Sequence, residues 1–132
     1  MVSPLSDGRP RRSLLLWGAH GIGVFLISGA LLAYIQFASP HLVDHDGYYH
    51  IKVASLIRDH GIPLSFPWLK FTLLDEAGYT DHHLFQHILQ IPFTYLGDLR
   101  LAAKWAAVSF AALAFTTFYL LLNFPLLAPL KD

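Results

Sequence analysis

Histidine and carboxylate side chains are gathered into two knots in this sequence. The first holds His41, Asp44, His45, Asp46 and His50, and the second holds Asp81, His82, His83 and His87. Carboxylate oxygens suit a hard divalent cation such as Mg²⁺ or Mn²⁺, and a cation held beside an apolar surface can neutralise a phosphate leaving group. Asp46 is the candidate for that work in the first knot. An aspartate at a helix start has an equally ordinary duty, because it accepts a backbone N–H of the first turn, here from Tyr48 or Tyr49. In the second knot His83 and His87 stand at i and i+4, so on a helix they share one face, a geometry that suits zinc or iron. Ordinary polar packing uses the same spacing, and no glutamate completes an H-E-x-x-H arrangement. His20 lies within an apolar stretch and is expected to face a neighbouring helix rather than a ligand.

The elements that hold these residues follow from composition. Hydrophobic residues make up 55% and charged residues 14% of 132 positions, with a mean hydropathy of +0.46, more apolar than an ordinary soluble domain of this length. The excess lies in Leu14 to Phe37 and Leu101 to Leu122, each long enough at about 1.5 Å per residue to cross about 30 Å of hydrocarbon. Transmembrane helices are therefore expected over 14–37 and 100–123, with a lead-in over 1–13 and a short end over 124–132. The predicted class is an all-α membrane protein whose two spans are joined by a loop, 38–99, carrying two short amphipathic helices. Seven of the eight histidines and seven of the nine acids sit in that loop.

Charge sets the expected orientation. Arg9, Arg11 and Arg12 precede the first span, while Asp44, Asp46, Asp59, Asp75, Glu76, Asp81 and Asp98 fall between the spans. Positive charge stays cytoplasmic, so both ends are expected inside and the loop on the periplasmic or outer face of a cell (inner) membrane. Arg100 and Lys104 oppose this and would have to snorkel. The stretch Pro10-Arg11-Arg12-Ser13-Leu14-Leu15 loosely resembles a twin-arginine leader, but the apolar run exceeds the roughly 7 to 15 residues of a signal core.

Along the chain, residues 1–13 read as a short disordered lead-in. Gly18, Gly21, Gly23, Ser28 and Gly29 in the first span, and Ala103, Ala107 and Ala111 in the second, are small enough to admit close helix partners, so further transmembrane helices or subunits are expected. Tyr49, Val53, Leu56 and Ile57 recur at helical spacing with Lys52, Ser55 and Asp59 opposite, and Gly61 and Pro63 end that helix. Residues 61–80 read as an irregular interfacial loop. Thr80 or Asp81 then caps a helix with Leu84, Phe85, Ile88 and Leu89 on one side, ending near Pro92, and Gly97-Asp98 turns the chain into the second span. The absence of cysteine excludes a disulfide framework and thiolate metal sites, and the basic residues form no stripe of the kind nucleic acid requires.

The order of a basic N-terminus, one span, then Asp44-His45-Asp46-Gly47-Tyr48-Tyr49-His50 and an amphipathic helix resembles the start of the oligosaccharyltransferase catalytic subunit and its relatives among the polytopic GT-C glycosyltransferases. Asp81-His82-His83-Leu84-Phe85 is similar to a second stretch seen before the second span of such proteins. The resemblance covers Leu14 to Leu122 and implies a sugar transfer from a polyprenyl-phosphate-linked donor to an extracytoplasmic acceptor, with Mg²⁺ or Mn²⁺ as cofactor. It places Asp46 in the metal and acceptor site with Asp44 as a catalytic companion, and assigns Asp81, His82 and His83 to the metal. Family members carry more spans, a second acidic motif in a later loop and often a soluble C-terminal domain, so this chain is expected to be an N-terminal fragment or a truncated relative. Two other functions fit the residues: a small membrane protein holding zinc through His83, His87 and the first knot, or a non-catalytic packing subunit of a membrane complex.

Overall fold

The computed structural model describes residues 9–62 and 80–123. All regular structure among them is helical: α1 (Arg9–Phe37), α2 (His45–His60), α3 (Leu84–Gln90), a 3₁₀ segment (Ile91–Leu96) and α4 (Leu99–Asn123). The expected interfacial loop lies mostly outside the described residues. Two helices have the length and apolarity to cross a membrane, over Leu15–Phe37 and Leu99–Asn123. Only 6% and 22% of their apolar windows are buried within the chain, whereas the core helix of a soluble domain buries most of its apolar face.

α1 begins at Arg9, inside the stretch expected to be a disordered lead-in. Pro10 does not prevent this, because a first-turn residue has no i−4 carbonyl to bond and loses nothing by lacking an N–H.

The chain forms two units, one of Met1–Ile35 with Val108–Asp132, the other of Gln36–Ala107. In the first, small residues bring helices close. A Cβ placed on Gly21 would meet Leu120 Cδ1 at 3.4 Å and Thr116 Cγ2 at 3.8 Å, and one on Gly29 would meet the Ala112 Cβ at 3.7 Å, whereas Gly18 and Gly23 face open space. The buried line on α4 lies beside the stripe of Ala103, Ala107 and Ala111. It runs through Lys104, Val108, Ala112 and Thr116, joined by Ala102 and Ala106. Its polar members are tolerated because their donors are used: Thr116 Oγ1 donates to the Ala112 carbonyl at 2.8 Å, and Lys104 Nζ donates to the carbonyls of Gln36 and Ser39.

The second unit holds α2, α3 and the 3₁₀ segment. α2 buries Ile51, Val53, Ala54, Ser55 and Ile57 against the other two. It ends at Gly61, whose φ of +79° suits glycine and whose N–H reaches the Ile57 carbonyl at 2.8 Å. Ser55 was expected on the outer face and is instead buried. It sits beside Arg58, whose guanidinium donates to the Thr94 carbonyl at 2.9 Å and to Thr94 Oγ1 at 3.0 Å, so a polar seam rather than a purely apolar one joins α2 to the 3₁₀ segment. The helix expected to end near Pro92 does leave α-geometry at Ile91, but the chain continues as 3₁₀ through Pro92, which sits in that segment's first turn. Gly97, with φ +86°, ends it. Asp98 then starts α4 by accepting the N–H groups of Arg100 at 2.7 Å and Leu101 at 3.4 Å.

Lys104, expected to snorkel towards water, is turned inward and is 2% exposed. Its Nζ lies 5.4 Å from the Phe37 ring centroid and satisfies carbonyls at and just beyond the end of α1, the groups a helix C-terminus leaves unpaired.

Candidate functional site

The first knot divides its labour along the start of α2. Asp44 is the N-cap: its backbone is extended and its Oδ1 accepts the Gly47 N–H at 2.8 Å. The capping duty weighed for Asp46 thus falls to Asp44, the residue the resemblance makes its companion. A Cβ on Gly47 would lie 3.2 Å from Leu42 Cδ1 and 3.4 Å from Asp44 Oδ1, so a side chain there would press on the cap itself. Tyr48 Oη accepts the Leu42 N–H at 3.2 Å, tying the approach to the helix. Three members of the Asp-His-Asp-Gly-Tyr-Tyr run therefore build the helix start. Asp46 sits exposed in the first turn, and neither carboxylate oxygen is engaged among the described residues.

The second knot meets the first through two imidazoles. His87 is fully buried, and both of its ring nitrogens are used. Nδ1 lies 2.6 Å from Asp81 Oδ2, and Nε2 lies 2.8 Å from His50 Nδ1. Asp81 Oδ1 also accepts the His83 N–H at 3.0 Å. Asp81 therefore organises the turn before α3, which begins at Leu84 with His83 as its cap residue, two residues later than a cap at Asp81 would place it. With both rings neutral, Asp81 accepts the His87 Nδ1–H, His87 Nε2 accepts the His50 Nδ1–H, and His50 is left with its Nε2 lone pair.

His50 stands one turn after Asp46 on α2. Its imidazole is held below the ordinary histidine range, first by burial, then by His87 and His83, against the opposing pull of Asp46 and Asp81. The His83 ring meets it edge-on, with centroids 5.0 Å apart. His82 stacks on His83 at 4.1 Å and is exposed.

The sequence-derived set is therefore split. Asp46 is open, Asp44 caps a helix, Asp81 holds His87, and His82 and His83 lie at the rim. Among the described residues no three histidine or carboxylate side chains converge as a metal centre requires. Of the His83 and His87 pair weighed as a zinc face, His87 has both ring nitrogens hydrogen-bonded in this structure. Sequence reasoning missed the link from His50 to His87, and apolar periodicity gave no signal for it, because Phe85, Ile88 and Leu89 lie on the side of α3 away from the buried His87. No protein-family model, curated protein or solved structure matches this chain.

Proposed function

We propose that the chain is the first module of a membrane glycosyltransferase of the GT-C type, moving a sugar from a polyprenyl-phosphate-linked donor to an extracytoplasmic acceptor. In this reading α1 and α4 cross the cell membrane, both ends are cytoplasmic, and 38–99 faces the periplasm or exterior. The observation that carries it is the uncommitted carboxylate of Asp46, in the first turn of a helix whose capping is done by Asp44. The side chain is exposed and makes no hydrogen bond among the described residues, which leaves both oxygens open to a cation.

Asp46 is the oxygen ligand this chain offers to Mg²⁺ or Mn²⁺, and the further ligands come from elsewhere in the full protein, since Asp81 is occupied by His87. A bound cation would stabilise the departing phosphate. The chain's own contribution is to orient: Asp81 fixes His87, His87 fixes His50, and His50 presents a neutral nitrogen one turn from Asp46, where it can accept a hydrogen bond from an acceptor hydroxyl or amide. Replacing Asp46 with alanine in the full protein should abolish transfer from a polyprenyl-phosphate sugar without loss of expression or of α2. Undiminished transfer would remove Asp46 from the mechanism.

A further inference from the structure

α3 and the 3₁₀ segment are built inside out. Along 84–96, the sequence Leu-Phe-Gln-His-Ile-Leu-Gln-Ile-Pro-Phe-Thr-Tyr-Leu has no Asp, Glu, Lys or Arg. Three of its polar members, His87, Gln90 and Thr94, are buried while Gln86 is exposed; His87 is held by His50 and Asp81 and Thr94 by Arg58, and the buried Gln90 Oε1 has no partner among the described residues. Its apolar members point the other way: Phe85 is 75% exposed, Tyr95 73% and Leu96 55%, with Ile88 and Leu89 also exposed. A segment in contact with water on that side would show the opposite polarity. The face is also tethered, because only Gly97 and Asp98 separate Leu96 from α4. Two residues reach about 7 Å at full extension, so the face stays within a short distance of the point where α4 begins.

We propose that this face is seated on lipid, with Phe85, Leu89 and Leu96 in the boundary between headgroups and acyl chains and Tyr95 at headgroup level. The inference rests on α4 crossing the bilayer. Shallow insertion of an apolar helical face is how monotopic segments bind, and tyrosine, apolar in its ring and polar at its tip, collects at that depth. The partner is a bilayer surface rather than a second protein, because the face continues directly into an apolar span. Seated in this way, the segment would carry the buried His87, with Asp81 and His50 bonded to it, at a fixed height above the membrane.

The chain contains no cysteine, so single spin labels report cleanly. Full-length protein would be reconstituted in mixed phosphatidylcholine and phosphatidylglycerol vesicles with cysteine at Phe85, Leu89 or Leu96, and with Lys52→Cys on the outer side of α2 and Leu113→Cys within α4 as references. The expected result is that labels at 85, 89 and 96 collide with oxygen several-fold more than with a water-soluble nickel chelate, at a shallower depth than 113, while 52 shows the reverse. Nickel access at 85, 89 and 96 equal to that at 52, with 113 still oxygen-rich, would overturn the docking and leave the span standing. Nickel access at 113 as well would overturn the span and the docking together. Protection of the three sites from both reagents would mean that protein covers the face, and would also overturn the proposal.

Discussion

The Asp44 carboxylate accepts a first-turn N–H at 2.8 Å, so Asp44→Ala leaves that donor unpaired and should cost about 1 kcal/mol of local stability, read as faster amide exchange at Gly47. Asp46→Ala removes no bond of the fold and should leave that exchange rate unchanged, which separates the two aspartates independently of any activity. His50 adds a pH dependence. Its folded value lies below the 6.5 of a free imidazole, chiefly through burial, so the unfolded chain takes up its proton first. Stability is complete above pH 6.5 and falls as the pH drops through 6.5 towards the lowered value. The groups acting on it are His83, His87, Asp46 and Asp81, and its Cε1–H resonance should titrate with a midpoint below 6.5; a midpoint above 6.5 would refute the buried, neutral ring. The two knots were legible as clusters of residue types. Which aspartate caps was not, because Asp44 and Asp46 are equally suitable N-cap residues and the extended backbone at position 44 is what separates them. For His87, spacing puts it on a face with His83 but cannot reveal that a residue 37 positions earlier in the chain bonds its second nitrogen.

Each helix end is closed by a specific atom, and these closures can be tested singly. Lys104→Met keeps the length and apolar body of the side chain but removes the donor to Gln36 and Ser39. Losing hydrogen bonds from a charged donor should cost about 1.5 to 3 kcal/mol, measurable as a lower midpoint of denaturation in detergent micelles. An unchanged midpoint would mean those carbonyls find other partners. Gly47→Ala tests the tight approach at the start of α2: with Leu42 Cδ1 at 3.2 Å from the new Cβ, the Leu42 side chain must move, and exchange at the α2 N-terminus should rise despite alanine's better helix propensity. Helix positions were read well from apolar periodicity and from Gly61, Gly97 and Asp98, whose local chemistry acts without tertiary help. The inner faces were read less well. The stripe on α4 contains Lys104 and Thr116, and α2 buries Ser55, because each polar group lies among bonding partners that sequence periodicity does not register. A pattern built on apolar residues alone therefore rotates the predicted face by about one residue, or 100° of helix.

At the scale of the whole chain, two long apolar helices bracket a segment rich in histidine and carboxylate, and the consequence depends on which side of the membrane that segment occupies. Arg9, Arg11 and Arg12 precede the first span, and moving three guanidinium groups through a bilayer is far less favourable than moving a loop whose acids outnumber its bases. Arg100 and Lys104 stood against that orientation; Lys104 uses its donors on the Gln36 and Ser39 carbonyls at a helix end, and Arg100 is paired with Asp98. The orientation is therefore expected to follow the arginines. In intact cells, a cysteine replacing exposed Ala38, just past α1, should react with a membrane-impermeant maleimide, whereas one replacing Asn123, at the end of α4, should react only after permeabilisation. The opposite pattern would put Asp46 on the cytoplasmic side, away from an extracytoplasmic acceptor, and the transferase reading would fall. Reaction at both positions in intact cells would mean that α4 does not cross, taking the lipid-seated α3 with it.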